Sequence, residues 1–287
     1  MKIAILGAMG FIGKHLSQQL IGEGHEVTGF VLNQSQNKLK GMRLESVGAL
    51  LRSDFSLKEK FDVSINAAAR RSTKASSLSP EDVDKFTFRI PTEFYLKTAS
   101  EHSLVVNLAT YIQNVSGVVG KTVDSYGAAK QKLSEFLESK SGDNFFRALD
   151  LYLFTAYGPG DHRSHLVPTL IEGARTGARI DLSPGHQLMN LINVQDVIEN
   201  IAQILTFNSP KTYTKYNLWI DEYFTVRNLV AKIEETTSSR INCNWGARKY
   251  IGHEMFEPWP IPMDLLPGFC IKVPLQEGIK DLWDITN

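Results

Sequence analysis

A tyrosine and a lysine four residues apart are the side chains of this 287-residue sequence that most clearly suggest chemistry. Tyr126 and Lys130 form a Tyr-x-x-x-Lys pattern where a helix is predicted to start, so both side chains share one helix face. A phenol with a pKa of about 10 is a poor acid at neutral pH, but a neighbouring ammonium favours its ionised form. Thr110 follows the predicted strand Leu104–Leu108 and offers a hydroxyl donor at the ligand-binding edge of a parallel sheet. The pattern alone is common and usually marks a surface pair, so only its position in the fold can favour a catalytic role.

Three glycines near the start of the chain predict a phosphate-binding loop. Residues 7–13 read G-A-M-G-F-I-G and lie between a predicted strand, Lys2–Leu6, and a predicted helix, Phe11–Gly22. Glycine permits the tight turn and lets the backbone approach a pyrophosphate, and the N-terminus of the helix attracts its negative charge. The alternative is a merely tight turn. The strand–loop–helix context favours a dinucleotide site.

The end of the second predicted strand bears on the choice of dinucleotide. An acidic residue about 20 residues beyond the glycines usually holds the adenosine ribose of NAD. Here Val27–Leu32 is followed by Asn33 and Gln34, so no carboxylate repels a 2′-phosphate. Lys38, Lys40 and Arg43 suit either a phosphate or an ordinary solvated surface. We expect NADP, with NAD as the alternative.

Alternating strands and helices predict an α/β fold with a doubly wound parallel sheet. Further strands are predicted at residues 62–67, 104–108 and 146–154, and further helices at 91–100 and 128–137. Beyond the turn at 158–160 the chain becomes rich in proline, which interrupts regular elements. We therefore expect a dinucleotide-binding domain over residues 1–160 and a smaller, loop-rich substrate-binding domain over 161–287. Residues 191–205 resemble one more strand–helix unit that can rejoin the first domain.

Composition excludes several other classes of protein. Lys and Arg number 31, and Asp and Glu number 31, so the formal net charge is zero and a nucleic-acid partner is not expected. Cys243 and Cys270 are too few for a disulfide framework and fit a reducing, cytoplasmic location, and no cysteine–histidine pattern predicts a metal. No apolar run reaches the ~18 residues of a membrane-spanning helix.

Several motifs in sequence order carry a family resemblance. They are Gly7-x-x-Gly10-Phe11-Ile12-Gly13, Ser53-Asp54-Phe55, Asn66-Ala67-Ala68-Ala69, Thr110, Tyr126-x-x-x-Lys130, Tyr157-Gly158-Pro159-Gly160, Leu191 to Val197, and Pro274 to Ile279. With these motifs, nearly the whole chain resembles the extended short-chain dehydrogenase/reductases, the NAD-dependent epimerase/dehydratase family of nucleotide-sugar enzymes.

The resemblance implies a Rossmann-type sheet, catalysis by Thr110, Tyr126 and Lys130, a nucleotide-sugar substrate and a homodimer. It also implies a set of cofactor-binding residues: Gly7, Gly10, Phe11, Ile12, Gly13, Asn33, Asp54, Phe55, Ala67, Ala68, Ala69, Tyr126 and Lys130. Arg163, His165 and Arg248 are the candidates for binding substrate.

The sequence also departs from the family pattern. Phe88 stands at the place of the family's proton-relay asparagine, and Met189 stands at that of the arginine that holds the substrate diphosphate. Arg163, Arg248 or the pair Arg70-Arg71 can replace that arginine, although each also suits an ordinary surface position. His162 and His165 form an H-x-x-H pattern without a third ligand, which is weak evidence for a metal.

The residues after Thr110 bear on the reaction. Sugar 4,6-dehydratases of the family carry Asp-Glu there, whereas this chain has Tyr111-Ile112, which cannot supply an acid and a base. The short spacing from Thr110 to Tyr126, together with Asn244–Ala247, is similar to CDP-4-keto-dideoxyhexose reductases that make abequose and paratose. The resemblance therefore implies reduction of a 4-keto group on a nucleotide-linked deoxysugar. A nucleotide-sugar 4-epimerase on retained NAD and a non-catalytic dinucleotide-binding member remain the alternatives.

Overall fold

The structure, a computed structural model, describes residues 1–32, 39–57, 60–70, 78–161, 165–205, 212–219, 222–252, 254–259 and 263–285. The strands are β1 (Lys2–Leu6), β2 (Glu26–Val31), β3 (Arg43–Ser46), β4 (Val63–Asn66), β5 (Leu104–Thr110), β6 (Arg147–Leu153), β7 (Thr155–Tyr157), β8 (Ile180–Asp181), β9 (Leu188–Met189), β10 (Leu191–Asn193), β11 (Tyr213–Leu218), β12 (Phe224–Thr225) and β13 (Cys243–Asn244). The α-helices are α1 (Phe11–Gly22), α2 (Val47–Leu50), α3 (Pro80–Asp84), α4 (Ile90–Thr98), α5 (Ser125–Gly142), α6 (Leu166–Thr176), α7 (Val194–Ile204), α8 (Val226–Thr237) and α9 (Leu275–Ile285).

Seven parallel strands form the central sheet, in the order β11-β6-β5-β4-β1-β2-β3. The predicted doubly wound α/β fold is confirmed. The strand order reverses between β1 and β4, and ligands of such sheets bind in the crevice outside the carboxyl ends of the strands at that point. The sequence did not predict the two edge strands, β3 and β11, because their half-exposed, polar residues lack the continuous apolar run of a buried strand.

Helices cover both faces of the sheet. On one face, α1 and α7 pack over a core that contains Ile3, Ile5, Leu16 and Ile201. On the other face, α4 and α5 pack over a second core that includes residues of β1, β5 and β6. The sheet is therefore buried on both sides, as its apolar central strands require.

The helical stretch before β5 is longer than the sequence predicted. It begins at Pro80, capped by the Ser79 hydroxyl, which accepts a hydrogen bond from the backbone N–H of Asp82 at 3.1 Å. A π-helical turn, Lys85–Arg89, connects α3 to α4. Pro91 near the start of α4 has no N–H to donate to the carbonyl four residues earlier, and the wider π turn lies where that hydrogen bond is lost.

The C-terminal part of the chain has a core of its own but also returns to the sheet. Helices α6, α8 and α9 enclose a core that includes Leu170, Leu229, Ile233 and Ile279. In contrast, α7 packs against α1, and β11 pairs with β6. The central sheet thus draws on residues well beyond 160, and the division into domains 1–160 and 161–287 stays a prediction.

A buried aspartate fixes the segment that leads into α9. Asp196 in α7 is 1% exposed, and its carboxylate accepts hydrogen bonds from the backbone N–H groups of Lys272 at 2.8 Å and Val273 at 3.3 Å. Asn200, one turn later, donates to the carbonyl of Cys270 and accepts from its N–H. These bonds tie residues 270–273 to α7 and so direct α9 toward its own core.

Within the described ranges, no helix is long and apolar enough to cross a bilayer. The same ranges contain no group of three or more metal-ligating side chains. Cys243 and Cys270 are both free thiols.

We expect Asp196→Ala to lower the free energy of unfolding by about 1–3 kcal/mol, because two buried N–H groups lose their acceptor. Urea denaturation of the purified protein measures the change. Glu199→Gln is the matched control, since Glu199 pairs with the exposed Lys272 from the same helix, and a surface ion pair contributes about 1 kcal/mol or less. Equal effects of the two variants would contradict the anchoring role of Asp196.

Candidate active site

The glycine loop lies at the reversal point of the sheet, directly after β1. Gly7 has a positive φ of +79°, and its N–H donates to the carbonyl of Phe30 at 2.9 Å. A Cβ atom at Gly7 would lie 2.9 Å from Cα and Cβ of Ala68. The turn therefore contacts the end of β4 so closely that only glycine fits.

The first turn of α1 is equally crowded. Gly10 is its N-cap, and Phe11 and Ile12, both partly buried, begin the helix. A Cβ at Gly13 would overlap the carbonyl oxygen of Gly7. Backbone without side chains thus forms a cradle at a helix N-terminus, as a dinucleotide diphosphate requires, and the residues present fit such a cofactor.

The end of β4 completes this side of the crevice. The N–H of Ala67 donates to the carbonyl of Leu6 at 3.0 Å, and the N–H of Ala68 donates to the Asn66 side chain at 3.0 Å. Ala69 is exposed immediately afterwards. These three alanines, expected to contact the cofactor, therefore lie beside the glycine loop.

The predicted adenine-binding residues lie in a turn at the edge of the molecule. Asp54 is exposed and pairs with Arg52 at 3.6 Å, whereas Phe55 is partly buried under the ammonium of Lys97. A groove of about 410 Å³ adjoins this turn, with Ser53 and Phe88 among its lining residues. Asn33 lies outside the described residues, so its role stays a prediction.

Tyr126 and Lys130 lie in the first two turns of α5, as the sequence predicted. The side chain of Asp124 caps this helix by accepting a hydrogen bond from the N–H of Gly127 at 2.7 Å. Tyr126 is partly buried, and Lys130 is 2% exposed. A Cβ at Gly127 would come within 3.2 Å of Ile112, so the start of the helix packs tightly on the segment after Thr110.

One hydrogen bond joins α5 to the end of β5. The ammonium of Lys130 donates to the carbonyl of Leu108 at 2.6 Å, two residues before Thr110. Burial lowers the pKa of Lys130 from its usual value of 10.5 to about 8, and the charge of Asp150 opposes that shift. The predicted catalytic lysine is therefore a group that titrates close to neutral pH at the end of β5.

Thr110 is held by the segment that follows it. Its hydroxyl accepts a hydrogen bond from the N–H of Ile112 at 3.5 Å, and its own N–H donates to the Gln113 side chain at 3.0 Å. This reciprocal cap fixes the threonine while its hydroxyl proton stays available for donation. Thr110, Tyr126 and Lys130 are thus carried by two elements in direct contact.

Aromatic residues occupy the place of the Asp-Glu pair. Tyr111 stacks on Phe154 with ring centroids 4.6 Å apart and 12° between the planes, and Trp259 lies 5.9 Å from Tyr111. A cavity of about 10 Å³ between these rings has room for about one water molecule. The structure therefore provides no acid–base pair in these positions.

The predicted substrate-binding residues are less closely placed. His165 precedes α6, and its ring lies 3.8 Å from the carboxylate of Asp161. Arg248 is exposed beyond β13, and its backbone N–H donates to the carbonyl of Leu182 at 3.0 Å.

Arg163, His162 and Arg71 lie outside the described residues. Arg70 lies over the ring of Phe86, and Met189 pairs with Phe224. Substrate contacts by any of these residues remain predictions.

Several polar residues support the site beyond those predicted from the sequence. The ring Nε2 of His15 in α1 donates to the carbonyl of Pro159 at 2.7 Å, joining the first helix to the Tyr157–Gly160 turn. Asn66, Asn107 and Asp150 form a buried row across the sheet. Asp150 carries a signal of its own, since it is the one acidic residue among the apolar positions of its strand.

Comparison with known proteins decides the family. The profile of the NAD dependent epimerase/dehydratase family matches residues 3–218. The chain belongs to this family. It is an NAD(P)-dependent enzyme of the extended short-chain dehydrogenase/reductase type, as the sequence motifs implied.

Individual relatives agree with this assignment. The chain is 26% identical over 270 residues to the CDP-abequose synthase of Yersinia pseudotuberculosis, covering 90% of this chain and 92% of the relative. It shares its fold with the UDP-glucuronic acid 4-epimerase of Bacillus cereus, with a TM-score of 0.81, 17% identity and coverage of 99% and 98% of the two chains. The UDP-glucose 4-epimerase of Thermotoga maritima gives a TM-score of 0.80 at 18% identity, covering 100% of this chain and 98% of that one.

We expect Gly13→Ala to weaken NAD(P) binding at least tenfold, because the added methyl group would overlap the Gly7 carbonyl and displace the phosphate loop. Titration of the cofactor by calorimetry measures the change. Gly22→Ala, at the other end of the same helix, is the matched control because its Cβ would meet nothing within 4 Å. Unchanged binding in Gly13→Ala would contradict the proposed cradle.

The lowered pKa of Lys130 predicts a pH-dependent stability. The folded protein loses this proton above about pH 8, whereas the unfolded chain keeps it until about pH 10.5, so stability rises with pH within that window. Relative to Lys130→Met, the free energy of unfolding should increase by about 3 kcal/mol across the window. Urea denaturation at several pH values tests this expectation, and a constant difference between the two proteins would refute it.

Proposed function

We propose that this enzyme uses NADPH or NADH to reduce a keto group at C4 of a nucleotide-linked deoxysugar. The observation that carries the proposal is the hydrogen bond from Lys130 to the Leu108 carbonyl, which holds α5 against the strand that ends in Thr110. A phenol, an ammonium and a hydroxyl are thereby available at the carboxyl edge of the sheet, next to a cradle that fits a dinucleotide.

Each residue has a separate task in the proposed reduction. A nicotinamide dinucleotide held by the glycine loop would supply the hydride that the carbonyl carbon needs. Tyr126 donates its phenolic proton to the carbonyl oxygen, which becomes the hydroxyl of the product, and solvent later restores the proton. Thr110 donates a hydrogen bond to the same oxygen as negative charge develops there. Lys130 stabilises the phenolate that Tyr126 leaves behind.

The surroundings of Thr110 favour reduction over dehydration. Elimination of water from a sugar requires an acid and a base beside the reacting carbons, and Tyr111 and Ile112 stand where the family's dehydratases carry them. Tyr111 is engaged in an aromatic stack, and Ile112 is 2% exposed. Ile112 has no ionisable group, and a phenol with an ordinary pKa of about 10 is a poor acid–base group at neutral pH.

The sequence relative supports the substrate class. The CDP-abequose synthase covers nine-tenths of this chain, so its likeness extends over the candidate site and the C-terminal part alike. A CDP-linked 4-keto deoxysugar is accordingly the first substrate to examine, and UDP- and dTDP-linked analogues widen the panel. Absorbance at the NAD(P)H maximum reports whether each keto-sugar consumes reduced cofactor stoichiometrically.

The same assay distinguishes the alternatives. A 4-epimerase, like the solved enzymes that share this fold, interconverts two sugars without net oxidation. If the chain has this activity, it should retain its NAD. Protein that purifies with bound NAD, and consumes no NAD(P)H with any keto-sugar, would favour an epimerase. Protein that binds the cofactor but transforms no nucleotide sugar would favour a non-catalytic member.

We expect Tyr126→Phe to reduce kcat by about 10²–10⁴-fold and to leave the Kd for NAD(P)H nearly unchanged, because it removes a proton donor but little binding surface. Lys130→Ala should impair both quantities. Tyr216→Phe, which removes a phenolic hydroxyl on edge strand β11, is the matched control and should keep normal turnover. A fully active Tyr126→Phe enzyme would overturn the proposed mechanism.

A further inference from the structure

A row of polar side chains crosses the centre of the sheet beneath α5. Asn66 in β4 lies opposite Asn107 in β5, and Asn107 lies opposite Asp150 in β6. All three residues are 0% exposed. Polar groups buried in this way are unfavourable unless they are hydrogen-bonded, so their partners indicate what the row does.

The hydrogen bonds of the row run in one direction and end on a carboxylate. The backbone N–H of Ala68 donates to Oδ1 of Asn66, whose Nδ2 donates to Oδ1 of Asn107 at 3.0 Å. Nδ2 of Asn107 then donates to Oδ1 of Asp150 at 2.7 Å. On the far side, the hydroxyl of Tyr213 donates to Oδ2 of Asp150, also at 2.7 Å. Both carboxylate oxygens are therefore fixed, and one end of the row lies in the cofactor crevice.

Lys130 lies over the same face of the sheet. Its helix packs there through Leu133 and Leu137 against Val105 and Ala148, which are two residues from Asn107 and Asp150 on their strands. Its ammonium is bonded to the carbonyl of Leu108, the residue after Asn107. The charge of Asp150 favours the protonated form of this ammonium. A carboxylate held in the core and a buried cation of the candidate site thus share one face of the sheet.

We propose that Asp150 is a positioning residue of the active site: the row from Asn66 to Asp150 holds its carboxylate beneath α5, where it keeps Lys130 charged and bonded to the carbonyl of Leu108. The inference rests on the proposed function, since it assumes that the ammonium of Lys130 serves Tyr126. It goes beyond that function because Asp150 touches neither the substrate nor the cofactor.

Several other titratable groups share this environment and must be considered in any pH experiment. They are Tyr95 on α4, Tyr126 and Glu138 on α5, Tyr152 on β6, and Tyr213 and Lys215 on β11. Asp150 raises the pKa of Tyr95, Tyr152 and Tyr213, and burial is the larger cause in each case. These phenols therefore stay neutral where Lys130 titrates.

The test measures the titration of Lys130 in the cofactor-free protein. NMR of protein labelled with ¹³Cε-lysine follows the ammonium directly, and Lys130→Met assigns its signal. In Asp150→Asn the negative charge is gone while the side chain keeps its size, so the pKa of Lys130 should fall from about 8 by roughly one unit or more. Because neutral Lys130 no longer supports the phenolate, the alkaline limb of the kcat/KM profile should move to lower pH by the same amount.

Two further variants separate charge from structure. Asp196→Asn neutralises the other buried carboxylate described above, on the α7 side of the sheet, and should leave the titration of Lys130 unchanged. Asp150→Glu restores the charge and should keep the pKa of Lys130 closer to 8 than Asp150→Asn does. Asp150→Ser provides a second neutral variant if Asp150→Asn folds poorly, and it should lower the pKa in the same direction.

If the pKa of Lys130 in the neutral variants stays within a few tenths of a unit of the wild-type value, the inference is overturned, whatever the thermal stability of those variants. The result is independent of the proposed function because it needs neither substrate nor cofactor. A shifted titration in a protein that reduces no keto-sugar would sustain the role of Asp150 and refute the reductase. Keto-sugar reduction with an unchanged pKa of Lys130 would refute the role of Asp150 and sustain the reductase.

Discussion

The bond between a buried ammonium and a backbone carbonyl is the constraint on which the candidate site depends. Lys130 has almost no contact with solvent, so its charge must find partners inside the protein, and it finds the carbonyl of Leu108 at 2.6 Å. That bond joins α5 to β5 two residues before Thr110. Tyr126, one helical turn earlier, is placed by the same contact, and Gly127 allows the close approach to Ile112 that this position demands.

A second constraint acts through the absence of side chains. Gly7 and Gly13 bring the first strand, the first helix and the end of β4 to distances that no Cβ atom would allow. The crevice is therefore lined by backbone on the β1 side, whereas the candidate catalytic residues lie on the β5 side. Binding and chemistry are thus assigned to opposite sides of one opening, each supported by strands that the buried polar row ties together.

The sequence predicted the elements whose signal is local. Both β1 and α1 were predicted with their observed bounds, because a buried apolar run, a glycine turn and an amphipathic spacing follow one another without interruption. The placement of Tyr126 and Lys130 near the start of a helix was also predicted, although α5 (Ser125–Gly142) extends beyond the predicted 128–137 at both ends. Strands β3 and β11 were missed because edge strands are held by neighbouring strands more than by their own composition.

The contacts that support the site could not be predicted from the sequence, for the same physical reason. Asn66, Asn107 and Asp150 are separated by about 40 residues at each step, and only the parallel register brings them together. Nothing in a single strand shows that its asparagine faces another one. Asp150 could have been suspected as an acid within an apolar strand, but its partners could not have been named.

The contact between His15 and Pro159 has a practical consequence. A histidine bonded to a carbonyl through Nε2 carries its proton on that nitrogen, so a single tautomer is fixed at the junction of the first helix and the Tyr157–Gly160 turn. The imidazole is thereby a built-in spectroscopic label. Its ring resonances would report on the contact between the first helix and this turn, in the natural protein and without an attached fluorophore.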